Sequence, residues 1–388
     1  MKGNQYKILI VEDNQAMRKL LESMLYGLDY TNLMSAGDGA AAWKIIQEDS
    51  IDIVLCDLLM PVMNGLELLH KIRASKKFYN LPFIMITGAD NQSEIMYTLQ
   101  AEVDYYILKP PNVGKLDDFL KKVIRQKMTP TMYEKAVTAG KFYYLNNNAK
   151  KALKCFDVAT RHQPENPMPY YYMGLIYKKN NDFEKAITVF NKCVSLSRLY
   201  VNALIALAEI HNERKDDKIL AKILAKVVLL IPDKLKMQRN LGAAYGRLGE
   251  TEKAGHHLKT AVRLAKNDKE ILKNLVEDFI DAGLYDEADD LFLRKFGEDD
   301  KEKIVRFWNR LGFCCKEKGN PDKAKYFYMS ALGYLPQHKS TNLNLAFLLM
   351  EDKEYDGARA YINKVRRLSP DCPETRELEE KLDKLQNG

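Results

Sequence analysis

Short apolar, β-branched runs recur through the first third of the chain, at Lys7 to Val11, Asn32 to Ala36, Ile51 to Cys56, Phe83 to Thr87 and Tyr105 to Leu108. Runs of this length read as strands, and the amphipathic stretches between them are long enough for helices. Helix-length crossovers join parallel strands, and a run such as Ile51 to Cys56, with few polar positions, suits a strand covered on both faces. The pattern predicts five βα units in a doubly wound α/β fold with a five-stranded parallel sheet.

Beyond Lys127 the strand pattern stops. Met128-Thr129-Pro130-Thr131 ends a helix, with Thr129 or Thr131 as the next cap and Pro130 suited to a first turn. The rest of the chain repeats itself, in registers starting near Tyr133, Pro167, Val201, Leu235, Lys269, Val305 and Lys339, a period of 34 residues with one interval of 36. The eighth position is small in most repeats (Gly140, Gly174, Ala208, Gly242, Gly312, Ala346), and so is the twentieth (Ala152, Ala186, Ala254, Ala288, Ala324, Ala358). Large apolar residues fill the slots between, and Gly249, Gly283 and Gly319 mark turns. Helix, turn, helix is the unit, and since one unit cannot bury its apolar face alone, a stacked all-α array is predicted. Repeat five departs most: Val276 takes the small position, and an excess of two residues around Phe296 to Asp300 predicts a local irregularity.

Candidate chemistry sits at the strand ends, where ligands of open α/β sheets bind. Glu12 and Asp13 follow the first strand, Asp57 the third, Thr87 the fourth and Lys109 the fifth. Three carboxylates converging on one rim would repel one another, and a hard cation such as Mg²⁺ with oxygen ligands relieves that repulsion. A lysine opposite them supplies the positive charge a phosphoryl group needs.

Taken together, ILIVEDN, IVLCDLLMPVMNG, FIMITGAD and DYYILKP, in that order and at domain-wide spacing, resemble the receiver domain of two-component response regulators. The resemblance implies a flavodoxin-like receiver over residues 1–127. It makes Asp57 the phosphoacceptor, with Glu12, Asp13, Asp57 and the main-chain carbonyl of Leu59 holding Mg²⁺. Thr87 and Lys109 would bind phosphoryl oxygens, and Tyr106 would rotate inward as Thr87 moves. It also implies a cis Lys109-Pro110 bond, phosphorylation by a sensor histidine kinase or a histidine phosphotransfer protein, and a face through the fourth and fifth units that serves homodimers in the family.

The repeats resemble the tetratricopeptide family, which implies a superhelical solenoid of seven repeats over residues 133–372, after a short linker at 128–132 and before a capping helix and tail at 373–388. Such arrays hold a protein or peptide in a groove lined by the first helix of each repeat. The second, fifth, ninth and twelfth positions would face it, which selects Tyr171, Lys178, Lys236, Arg239, Arg247, Lys273, Asn309 and Phe313.

Composition narrows the function classes further. The formal charge is +7, and the excess lies wholly in residues 128–388. That is modest for nucleic-acid binding, and no motif pairing aromatic with basic residues for base stacking is present. A basic array that binds nucleic acid, and a receiver that only stores or relays phosphate while the repeats tether it, are the alternatives to a switchable protein-binding scaffold. No phosphate loop, metal-ligand spacing or nucleophile motif occurs after residue 127, so a non-enzymatic output is expected. The six cysteines form no CxxC pair, the opening apolar run is too short for a signal peptide, and no apolar run reaches membrane-spanning length. A cytoplasmic protein with no membrane partner is expected.

Overall fold

The computed structural model describes residues 5–88, 105–297 and 300–387. The stretch expected to hold a helix between Thr87 and Tyr105 falls mostly at 89–104, and part of the excess in repeat five at 298–299; both lie outside the described residues. Strands β1 (Ile8–Val11), β2 (Leu33–Ala36), β3 (Ile53–Asp57), β4 (Phe83–Thr87) and β5 (Tyr105–Leu108) form one parallel sheet in the order β2-β1-β3-β4-β5. Helices α1 (Gln15–Gly27), α2 (Gly39–Glu48) and α3 (Gly65–Ala74) succeed the first three strands. Chain order reverses direction beside β1, and that switch point opens a crevice between the ends of β1 and β3.

Side chains along each strand alternate between two cores. Leu9, Val11, Val54, Cys56, Phe83 and Met85 pack with Ala42 and Ile46 of α2 and Leu68, Leu69 and Ile72 of α3. Ile8, Ile10, Ile53, Leu55, Ile84 and Ile86 pack on the other face with Leu21 and Leu25 of α1 and with Leu116, Leu120, Val123 and Ile124 of the helix Val113–Met128. Both faces are therefore covered, as the unbroken apolar runs required. The Lys109-Pro110 bond is cis. Pro111 does not disturb the next helix, because Asn112 caps it by accepting from Lys115 N.

Beyond residue 131 the helices pair as Met132–Leu145 with Ala149–His162, Pro167–Lys179 with Phe183–Leu196, Leu235–Arg247 with Thr251–Leu264, Lys269–Asp281 with Tyr285–Phe296, and Lys339–Glu351 with Tyr355–Leu368. Val201–Glu213 and Asp217–Leu230 are helical as well, and Pro373–Asn387 follows the last pair. Thr131 caps the first helix through a capping box with Glu134. By internal contacts the chain divides into two compact units, Met1–Lys215 with Leu229–Ile231, and Asp216–Val228 with Pro232–Gly388.

The small eighth position has a direct cause. A Cβ on Gly140 would lie 2.7 Å from the Phe156 ring, one on Gly312 2.6 Å from Tyr328, and one on Gly174 closer still to Phe190. Each ring stands sixteen residues on, in the partner helix of the same repeat. The turn between helices adopts positive φ at the fifteenth position of every repeat: Gly249, Gly283 and Gly319, but also Asn147, Asn181, Lys215 and Lys353. The three glycines suit this conformation best, and asparagine tolerates it.

Repeat six keeps the expected register at Gly312 and Gly319 but departs from it in where its first helix starts. Its first helix begins at Lys301, not near Val305, and runs to Glu317, with Asp300 as cap accepting from Lys303 N. Lys301 to Ile304 thus add a helical turn ahead of the position the period favoured. In repeat five, where the buried Val276 takes the small position, Phe292 stacks on Phe307 with centroids 3.7 Å apart and planes 10° from parallel.

Candidate functional site

Main-chain pairing brings the strand ends together. Glu12 N donates to Ala36 O, Leu58 N to Ile86 O, and Lys109 N to Thr87 O at 2.7 Å. Asn14 caps α1 through Ala16 N and Met17 N, and Arg18 Nη1 donates to Glu12 O at 2.7 Å, which holds the loop bearing Glu12 and Asp13. Gly65 N donates to Leu58 O. A Cβ on Gly65 would overlap Asp57 O, so only glycine lets α3 start this close to β3.

The side chains form one acidic cluster. Glu12, Asp13 and Asp57 each place a carboxylate oxygen within 4.8 Å of the others, Glu12 and Asp57 buried and Asp13 exposed. Lys109 Nζ lies 2.8 Å from Glu12 Oε2 and 2.9 Å from Asp57 Oδ2. Asp57 Oδ1 accepts from Leu58 N at 2.8 Å. Burial pushes the Glu12 carboxyl up, against the lowering effect of its bond to Lys109. Burial works to lower Lys109, but hydrogen bonds to Glu12 and Asp57 outweigh it and the ammonium is held above its ordinary value. Burial likewise pushes the neighbouring Cys56 thiol well up, which leaves it an inert core residue.

This donor set fits Mg²⁺: hard oxygen ligands, clustered, with an exposed edge at Asp13 where water can complete the shell. The surroundings of Thr87 suit an anion as well. Its hydroxyl is buried and has no hydrogen-bond partner among the described residues, an arrangement that costs energy and that an acceptor would relieve. Tyr106 pairs with Met85 across β4 and β5 and is half-buried against the core under α2 and α3. Leu59 is 69% exposed in the loop after β3, where Val62 holds a positive φ that a β-branched residue rarely adopts.

The eight groove candidates are spread along the array. Tyr171 packs against Tyr172, Phe190 and Tyr200. Lys178 pairs with Glu209, Arg239 with Asp278, and Arg247 with Asp217. Asn309 accepts from Asn344 Nδ2 at 3.0 Å. Lys236, Lys273 and Phe313 are exposed. Asn14, Arg18 and Gly65 are the residues whose part in the strand-end site the motifs did not reveal. The Asn64-to-Glu67 capping box ahead of α3 was a usable signal for the last of them.

A parallel sheet of this order with an acidic cluster and a lysine at its switch point defines the receiver class of α/β domain. Residues 8–121 match the response regulator receiver domain family, and residues 169–198 and 316–382 match tetratricopeptide repeat families. A chemotaxis protein CheY homolog of Campylobacter jejuni is 37% identical over 119 residues, 29% of this chain and 92% of the relative. The chemotaxis protein CheY-3 of Vibrio cholerae is 36% identical over 120 residues, 31% of this chain and 92% of the relative. A solved CheY-like receiver domain protein of Methanospirillum hungatei is 28% identical, with a TM-score of 0.28, over 32% of this chain and 97% of that one. The chain belongs to the response regulator receiver family and carries tetratricopeptide repeats after the receiver. Among the described residues no helix is long and apolar enough to cross a membrane.

Proposed function

We propose that this protein is a response regulator in which phosphorylation of Asp57 controls protein binding by the repeat array. A histidine kinase or histidine phosphotransfer protein is the donor. A carboxylate oxygen of Asp57 attacks the phosphorus of a phosphohistidine, the O–P bond forms, the P–N bond breaks, and the imidazole keeps the electron pair. The observation that carries this reading is the convergence of Lys109 on the buried Glu12 and Asp57 beside the unpartnered Thr87 hydroxyl.

In that reading Glu12, Asp13, Asp57 and the Leu59 carbonyl hold Mg²⁺, which when bound neutralises charge on the transferred group. Lys109 and Thr87 then bind phosphoryl oxygens, and Tyr106 moves with Thr87. The receiver covers residues 1–127, the linker 128–132, the repeats 133–372 and the cap 373–388. The repeats serve as a groove for a protein partner, and Lys236, Lys273 and Phe313 are the exposed candidates for contact. Ion pairing of Lys178, Arg239 and Arg247 within the array consumes cations that a nucleic-acid reading would need.

Acetyl phosphate with Mg²⁺ should add one phosphoryl group to the full chain, read by intact mass. Chelation and Asp57→Ala should each abolish the addition. Uptake that survives Asp57→Ala would refute the assignment.

A further inference from the structure

The receiver lies against one particular side of the first two repeats. The second, fifth, ninth and twelfth positions, those the groove reading turns toward a partner, are Glu134, Val137, Lys141 and Tyr144 in repeat one and begin with Met168, Tyr171 and Leu175 in repeat two. All seven line two cavities that they share with the receiver. One cavity, of about 320 Å³, is bounded on the receiver side by residues that include Arg73, Tyr79, Pro82 and Val123. The other, of about 80 Å³, is bounded by Leu69, His70 and Arg73 of α3. Asn146 Nδ2 donates to Ala74 O, the last residue of α3, at 3.2 Å. The Tyr79 and Phe142 rings meet with centroids 4.7 Å apart.

We propose that the groove face of repeats one and two is a docking surface occupied in cis by α3 and the segment after it, and that a partner reaches this end of the groove only when α3 withdraws. The geometry supplies a link to the acidic cluster. α3 has ten residues, roughly 15 Å of helix. Its first residue, Gly65, packs with no slack against the main chain of Asp57, and its last is tied to repeat one. A shift of the loop at Asp57 therefore moves a rod whose far end sits in the groove.

The seam is built to open. A cavity of about 320 Å³ has room for on the order of ten waters, and a junction enclosing that much space lacks the close packing of a domain core. Arg73 and Lys141 are both buried at it, Arg73 donating to Tyr79 O and Leu81 O, and the Lys141 ammonium lying over the Tyr172 ring. The array face there is aromatic and aliphatic with a buried cation, so the partner it fits is an amphipathic helix that substitutes for α3.

This inference rests on phosphorylation at Asp57 for its trigger, and the test separates the two. Hydrogen exchange is monitored in the full chain at residues 75–81 and in the helix Met132–Leu145. Tyr79→Ala and Asn146→Ala should each speed exchange there by about tenfold or more and leave Lys339–Leu368 unchanged. Using two variants guards against one that disturbs folding, and unchanged exchange in both would overturn the docked seam. Acetyl phosphate with Mg²⁺ should speed the same segments in the wild type and not in Asp57→Ala. Phosphoryl uptake with unaltered seam exchange overturns the release while leaving the phosphoacceptor assignment intact. No uptake at all overturns that assignment and the trigger together, and the seam variants still decide the docking.

Discussion

The ammonium of Lys109 bridges Glu12 and Asp57, 2.8 Å from one carboxylate and 2.9 Å from the other. Without it two largely buried carboxylates face each other with no cation between them. Lys109→Ala should destabilise the chelator-treated protein by about 1–3 kcal/mol in urea unfolding, and added Mg²⁺ should recover part of the loss. Equal stability of variant and wild type in chelator would show that the bridge contributes nothing in solution.

Thr87 gives the opposite sign. Among the described residues its buried hydroxyl has no partner, so replacing it by a methyl removes an uncompensated desolvation and not a bond. Thr87→Val should keep stability unchanged or raise it by up to about 1 kcal/mol, while weakening any conformational response to acetyl phosphate. A loss of more than about 1 kcal/mol in thermal unfolding would mean the hydroxyl already has a partner.

In the array, Gly174 sits under Phe190 with no space for a Cβ, whereas Gly333 has nothing within 4 Å of where its Cβ would be. Both glycines are helical. Gly174→Ala should cost about 1–3 kcal/mol through overpacking, and Gly333→Ala should gain about 0.5–1 kcal/mol through helix propensity. Chemical denaturation of the two variants side by side checks the contrast.

Trp308 Nε1 donates to Asp289 Oδ1 at 2.6 Å, and burial raises the Asp289 carboxyl above its ordinary 3.8, against the lowering effect of that bond. A raised carboxyl favours the folded state while protonated, and that contribution is lost as pH rises through the folded value. Asp289→Asn keeps an acceptor for Trp308 and removes the ionisation, so it should match the wild type in acid and become relatively more stable as pH rises. Asp289→Ala should instead cost about 1–3 kcal/mol by stranding the indole N–H. Trp308 emission during unfolding reads all three proteins.

The strand-end chemistry was legible because it depends on local order: each acidic or cationic residue comes directly after its own apolar run, and parallel strands necessarily bring their carboxyl ends to one rim. The small positions of the repeats were legible for a similar reason, since a fixed period places Gly140, Gly174 and Gly312 at the same level of successive helix pairs. The turn residues were read only in part. Gly249, Gly283 and Gly319 announce themselves, but Lys215 and Lys353 adopt the same backbone with no chemical signature of it.

Arg18 and Gly65 escaped because their roles lie in contacts with main-chain oxygens of Glu12 and Asp57. The extra turn of repeat six escaped because helix propensity sets boundaries poorly, and Asp300 outcompeted the position that the period favoured.

The chain's own pattern thus determined the parallel sheet, the acidic rim with its lysine, and the 34-residue helical unit, because strand runs and helix periods are written in near neighbours. Only the tertiary structure decided which cations of the array pair with its own carboxylates, where Phe292 rests, and that α3 shares a cavity with the first helices of repeats one and two. Those outcomes depend on residues some 15 to 105 positions apart meeting at van der Waals distance, and no local pattern encodes such a meeting.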